Sequence, residues 1–386
     1  MALLDIESGS VATAIAKVNH CGDDCEIIYA KRYPINHAAA AVGQASALRA
    51  VGETLLRAGR DLADGGVRTL NQIGQPAMVA DFQVSVSAPL SQVVVKNVRY
   101  QTKKPFRLNN NLLHSLRDSI ADRVWRELKT DGLAGNPDLV MLDSSVISVS
   151  ADGYTIDSQA PDQEVVAMEL VHLSSLIGND LMTLIEEVKE RVFPASRLSV
   201  HSFMFMYYNL MSLNIPSATN ACLLDVTAEA TEIGVIESGV LRYVGRVPYG
   251  VHTASRSLQR QAGMPFAESL TLVRHGDDGR LNPSGAEILV REEYRAALER
   301  ELKYAGDTVT IPPVLFMHTT WPERSLLDKS ALSALKSAGS RPGQGYVVTE
   351  DILGDSLKIG GAKVDTALQT AVGFFHKTRQ RHLGRL

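Results

Sequence analysis

The chain is poor in cysteine, in charge of one sign and in long apolar runs, and each shortage removes a class of protein. Three cysteines in 386 residues do not make a disulfide framework, and that usage fits a reducing cytoplasm. The 39 Lys and Arg residues against 43 Asp and Glu leave a formal net charge of −4, so no global excess of positive charge argues for nucleic acid. No uninterrupted apolar segment reaches about 18 residues, so no transmembrane helix is expected. The N-terminus enters a strand-like run with no basic n-region, so no signal peptide is read there. No Ser-His-Asp arrangement or His-Glu-x-x-His motif is present, which removes the common hydrolase and protease signatures. Cys21-x-x-x-Cys25 beside His20, Asp23 and Asp24 lacks a second ligand pair and reads as a solvated turn rather than a metal site. What is there is an ordinary globular composition, 45% apolar and 21% charged, on a chain long enough for two or three domains.

Residues 2–33 read as three strands, and 37–64 as a long helix ended by Gly65-Gly66. Phe82 to Ser87 alternates as a strand. Residues 89–195 read as a separate α+β module: a strand over Gln92–Gln101, an amphipathic helix over Asn109–Lys129, strands at Val140–Ser150, Tyr154–Ser158 and Val165–Leu173, and a helix from Ser174 to Arg191. An apolar run follows over Arg197–Leu213, then a linker at Pro216–Asn220. Residues 251–305 read as mostly helical, Pro313–His318 as a strand, Leu326–Ser337 as a helix and Thr366–Arg381 as a terminal helix with a basic end.

Two stretches share one pattern. Leu3-Leu4-Asp5-Ile6-Glu7-Ser8-Gly9-Ser10-Val11 and Leu223-Leu224-Asp225-Val226-Thr227-Ala228-Glu229-Ala230-Thr231 are each an apolar run closed by Asp, small polar residues and a second β-prone run. That is a strand, a tight turn and a returning strand, made twice. The second copy continues through Ser238-Gly239-Val240-Leu241-Arg242 and Val247-Pro248-Tyr249-Gly250, and Thr370-Ala371-Val372-Gly373-Phe374 lies near the end. In this order the segments resemble the bacterial actin-like proteins of the FtsA/PilM type, which carry an extra subdomain where residues 89–195 fall. The resemblance implies an α/β, actin-like (ribonuclease H-like) duplicated ATPase fold. It implies a first unit of residues 1–88, 196–215 and 366–386, an inserted α+β subdomain at 89–195, and a second unit at 216–365.

The resemblance also implies a nucleotide cleft in which backbone N–H groups of the two turns cradle phosphates. The residues it assigns to ATP are Asp5, Ser8, Gly9, Ser10, Asp225, Thr227 and Thr231, with Asp5 and Asp225 at the positions that hold magnesium-bound water. The chain departs from the family at each loop. Glu7 replaces a glycine, Thr227 to Thr231 lack the Gly-Gly-Gly-Thr run, and Val314–His318 leads into Thr319-Thr320-Trp321-Pro322 rather than paired glycines. A Cβ at such positions fills the space that phosphate needs. Glu7 and Glu229 would add repulsive charge unless a metal intervened. The expectation is therefore a cytoplasmic scaffold or adaptor, peripheral to the inner membrane, in pilus or secretion assembly or in cell division, with weak or lost ATP binding. Its partner would be a cytoplasmic peptide of a membrane protein or a cytoskeletal protein, with self-assembly into filaments as a further mode. The alternative is an active ATPase or sugar-kinase-like phosphotransferase of the same superfamily. The basic tail from Lys377 and the basic stretch Lys96, Arg99, Lys103, Lys104 and Arg107 read first as solvated faces. His172, His201 and His318 read as core or strand-end residues.

Overall fold

A computed structural model describes residues 1–18, 25–36, 44–74, 78–130, 138–156, 162–275, 284–320, 326–339, 343–348, 353, 359–361 and 365–383. The Cys21 turn, residues 384–386 and the side chains of 379–383 lie outside the described residues. Strands β1 (Ala2–Ile6) and β2 (Ser10–Val18) form the first hairpin, and β3 (Cys25–Pro34) extends it antiparallel. Helix α1 (Gln44–Asp61) does not stop at Gly65-Gly66 as the sequence suggested. A π-helical turn over Leu62–Gly66 carries it into α2 (Val67–Gln72). The glycine permits close packing instead, since a Cβ on Gly66 would stand 2.4 Å from Ile15 Cδ1. Strand β4 (Asp81–Val86) then pairs parallel with β1.

The inserted stretch holds β5 (Ser91–Leu108), α3 (Asn110–Thr130), β6 (Leu139–Ala151), β7 (Tyr154–Ile156), β8 (Gln163–Gly178) and α4 (Asn179–Val192). Its sheet is antiparallel, in the order β5-β8-β6-β7. Leu113, Ile120 and Val124 of α3 share a core with Val149, Val165 and Leu170 of that sheet. The helix read from Ser174 is corrected: β8 runs on to Gly178. This strand has neighbours on both sides, so β5 and β6 satisfy the backbone of Ser174–Ile177, and that outweighs the local helical spacing. The basic stretch is strand throughout, with an irregularity in its pairing between Gln101 and Phe106.

Strand β9 (Arg197–Ser202) pairs parallel with β4. The run expected over Arg197–Leu213 breaks at Ser202, whose hydroxyl accepts from Phe205 N and so caps α5 (Phe203–Asn214). The second hairpin is β10 (Ala221–Val226) and β11 (Thr231–Glu237), extended by β12 (Val240–Val247). Helices α6 (Val251–Ala262), α7 (Phe266–His275) and α8 (Gly285–Gly306) precede β13 (Val314–Thr319). Then come α9 (Asp328–Ala338), β14 (Gln344–Val347), β15 (Ile359–Gly361) and α10 (Thr366–Leu383).

The duplication extends to whole sheets. One runs β15-β3-β2-β1-β4-β9 and the other β12-β11-β10-β13-β14. In each, a three-stranded antiparallel meander is followed by parallel strands on the far side of its first strand. β15 lies within the stretch expected for the second unit, yet it pairs with β3 in the first sheet. Helix α5 packs Phe203, Tyr207 and Leu210 against Leu223 and Phe316 of the second sheet. Helix α10 packs Leu368, Val372 and Phe374 against Leu3, Ala14 and Ile27 of the first. The apolar residues before the basic tail are thus core.

Candidate functional site

The two Asp residues stand at equivalent positions, each one residue before the end of its strand. Asp5 lies between Ala12 on β2 and Ser85 on β4, and Asp225 lies between Glu232 on β11 and His318 on β13. Their outer neighbours also correspond, because Arg32 faces Ala12 and Arg246 faces Glu232. Ser85 Oγ donates to Asp5 Oδ1 at 2.6 Å, and His318 Nδ1 lies 2.8 Å from Asp225 Oδ1.

The intervening side chain separates the two sites. Ala12 is small, so Arg32 reaches over it and donates to Asp5 Oδ2 at 3.0 Å. Arg32 also donates to Glu7 Oε1 at 2.8 Å and to Asp365 Oδ2 at 3.0 Å. Burial pushes Asp5 up to about 6 despite that guanidinium. Burial would lower the Arg32 pKa, but the surrounding carboxylates outweigh it and hold the charge. Partial burial would raise Asp365, yet Arg32 keeps it below the usual range. Its Oδ1 accepts from Leu368 N at 3.0 Å, so the Arg32 partner also caps α10. In the second half Glu232 occupies the position of Ala12. Burial, with Asp225 adding to it, pushes Glu232 up to about 8. Asp225 Oδ2, Glu232 Oε2, His318 Nε2 and Tyr207 Oη are buried without a protein hydrogen-bond partner.

The turns themselves meet. Ser8 Oγ donates to Thr227 Oγ1 at 3.3 Å and accepts from Glu229 N at 3.1 Å. A Cβ on Gly9 would stand 2.6 Å from Ala228 Cβ. Behind the second turn, Val251 N and His252 N donate to the carbonyls of Thr227 and Ala228 at 3.0 and 2.7 Å. The first N–H groups of α6, an obvious anion cradle by position, are therefore satisfied by the turn. Gly250 permits that approach, since its Cβ would lie 2.4 Å from Thr227 O.

Each turn carboxylate has partners of its own. Glu7 accepts from Arg32 and Ser10 Oγ, and Thr320 Oγ1, just beyond β13, lies 2.8 Å from both of its oxygens. Glu229 is held by both Nη atoms of Arg256, with His252 Nδ1 at 3.6 Å. Burial would raise Glu229, but Arg256 and His252 bring it down to about 2. Neither carboxylate is left for a metal to neutralise, which answers the repulsion expected from the sequence by a different route.

Of the residues assigned to ATP, Ser8, Gly9 and Thr227 meet across the cleft, and Ser10 bonds Glu7 within its own turn. Asp5 has both oxygens engaged, whereas Asp225 keeps one without a partner. Thr231 is turned into the second core, with its hydroxyl on Tyr249 O at 2.8 Å and 3.1 Å from Tyr294 Oη. In this structure the two turns hydrogen-bond each other, so Ser8 and Thr227 are engaged with the opposite turn. Sequence reading missed Arg32, Ser85, Arg256, Thr320 and Asp365. An arginine one strand beyond each Asp hairpin was the available signal. His318 is a buried strand residue as read, but it also orients Asp225. His172 sits between Ser144 and Ser174, and His201 Nδ1 lies 2.6 Å from Asp143.

No family model and no curated protein matches the sequence. Among solved structures, the chain is similar to a PilM-PilN type IV pilus biogenesis complex, with 13% identity and a TM-score of 0.58 over 98% of this chain and 97% of that one. It is also similar to the ethanolamine utilization protein EutJ from Carboxydothermus hydrogenoformans, at 10% identity and a TM-score of 0.46 over 97% and 89%. A Bacteroides thetaiotaomicron protein with an actin-like ATPase fold matches at 9% identity and a TM-score of 0.45, over 96% and 95%. The doubled sheet order, the facing hairpins and the end-to-end likeness to PilM identify the architecture: this chain has the PilM-type actin-like α/β fold.

Proposed function

We propose that the protein is an actin-like scaffold or adaptor whose cleft is held by its own side chains, with ATP binding weak or lost. The observation that carries this reading is the direct contact of the two turns, with Glu7 on Arg32 and Thr320 and Glu229 on Arg256. The solved PilM is in complex with PilN, which supports a working mode in which this chain also docks a segment of another protein. Such a partner would be the cytoplasmic part of a membrane protein or a cytoskeletal element, in pilus or secretion assembly or in division. Head-to-tail self-assembly is a further mode on this fold. Among the described residues no helix is long and apolar enough to cross a membrane. We assign residues 1–88, 196–215 and 366–386 to the first unit, 89–195 to the insert and 216–365 to the second unit, apart from β15.

Isothermal titration with ATP and magnesium tests the reading, with Asp225→Ala as control. No heat at millimolar ATP is the expected outcome. Micromolar binding lost in Asp225→Ala would overturn it and favour an active ATPase or sugar-kinase-like phosphotransferase.

A further inference from the structure

We propose that Glu7 is an internal ligand: its carboxylate fills an oxyanion site built by Arg32, Ser10 and Thr320, and that site takes a free carboxylate or phosphate once Glu7 is shortened. The inference deepens the proposed function and rests on its closed, nucleotide-independent cleft.

Three observations carry it. First, the donors converge from separate parts of the chain. Ser10 comes from the same turn, Arg32 from β3 of the first sheet, and Thr320 from beyond β13 of the second. No local sequence rule brings Arg32 and Thr320 to Glu7, so their convergence belongs to the folded site. Second, the carboxylate and Thr320 are buried. Glu7 is 3% exposed and Thr320 6%, and in such surroundings a charge-assisted hydrogen bond is strong and an unfilled donor is costly. Third, a second cation, Arg274, is within electrostatic reach of the same carboxylate. Arg274 lies close enough for the Glu7 charge to raise its pKa, although burial brings that guanidinium down to about 10.

The site therefore has the character of an anion pocket, with its ligand attached to the chain. Because Thr320 belongs to the second half and Arg32 to the first, the tethered carboxylate also joins the halves. In this protein closure is built in and does not wait for a ligand.

Glu7→Ala removes a fragment the size of acetate and leaves Arg32, Ser10 and Thr320 in place. Its Tm is expected to fall by about 5 °C. Acetate should restore it in a saturable way, while chloride at equal ionic strength should not. Inorganic phosphate forms a second arm that separates a pocket for planar carboxylates from one that also admits a tetrahedral anion. Glu7→Gln keeps the volume filled and should gain nothing from either anion, as should the wild type. No rescue of Glu7→Ala by either anion, or equal rescue of Glu7→Gln, overturns the proposal. If Glu7→Ala does not fold in chloride, refolding yield in acetate against chloride is the readout, and equal yields overturn it. All of these measurements exclude nucleotide, so wild-type binding of ATP would sink the functional reading without changing the rescue result.

Discussion

At the scale of the residue, one register position filled two ways separates the halves of a duplicated fold. Ala12 lets an arginine through to its Asp, whereas Glu232 stands in the way of the corresponding Arg246. The result is a buried carboxyl held up to about 8 against an ordinary 4.5. Its linkage has a definite sign. Between those values the folded chain keeps a proton that the unfolded chain has released, so stability falls as pH rises through the interval. The slope is at most about 1.4 kcal/mol per pH unit. Urea midpoints measured between about pH 6 and 8, above the interval in which Asp5 contributes a decline of the same sign, should decline for the wild type and flatten for Glu232→Gln. An unchanged decline in the variant would remove Glu232 as the source. The Asp in each hairpin was legible because it closes a local apolar run. Arg32 was not, because its partners Glu7 and Asp365 lie 25 and 333 residues away in the chain.

At the scale of the element, two glycines set how closely pieces approach, and they differ in what they touch. A Cβ at Gly250 meets the carbonyl oxygens of Thr227 and Ala228, backbone that also accepts from the start of α6. A Cβ at Gly9 clashes with one atom, Ala228 Cβ at 2.6 Å, and meets His252 and the Ala228 backbone at ordinary contact distance. Gly250→Ala is expected to cost about 3 kcal/mol and Gly9→Ala about 1 kcal/mol in chemical denaturation. The reverse order would show that the turn-to-turn contact, not the approach to α6, is the tighter constraint. Gly250 was visible in the sequence as part of Val247-Pro248-Tyr249-Gly250, and the carbonyls beside it supply the reason. Gly65-Gly66 was misread for the same kind of cause. Glycine marks either a stop or a close approach, and only the neighbouring Ile15 decides between them.

At the scale of the whole molecule, the halves are tied at a second place besides the turns. Arg242 on β12 donates to Glu169 Oε1 on β8, and Asn97 Nδ2 on β5 donates to the Arg242 carbonyl at 3.1 Å. Glu169 also lies 3.4 Å from the exposed Arg99 on the basic strand. The insert is thereby linked to the far sheet and not only to the sheet it interrupts. A double-mutant cycle over Arg242→Ala and Glu169→Ala should give a coupling of about 1 kcal/mol. Strict additivity would mean that the insert rests on the second half without being fastened to it.

The sequence by itself determined most of the elements and the repetition of the hairpin. Apolar runs closed by Asp and amphipathic spacing in the insert are local patterns, and they led to two related sheets and an inserted sheet, while the order of segments carried the resemblance that implied a cleft. Tertiary structure alone decided what the cleft holds. Whether Glu7 faces a metal, a phosphate or an arginine depends on Arg32 reaching over Ala12 and on Thr320 arriving from the other half. Both are contacts between segments that carry no mark of each other in the chain. Burial then fixes the consequence, because a carboxylate removed from water must be charged and paired or neutral and alone, and the packing around each one makes that choice.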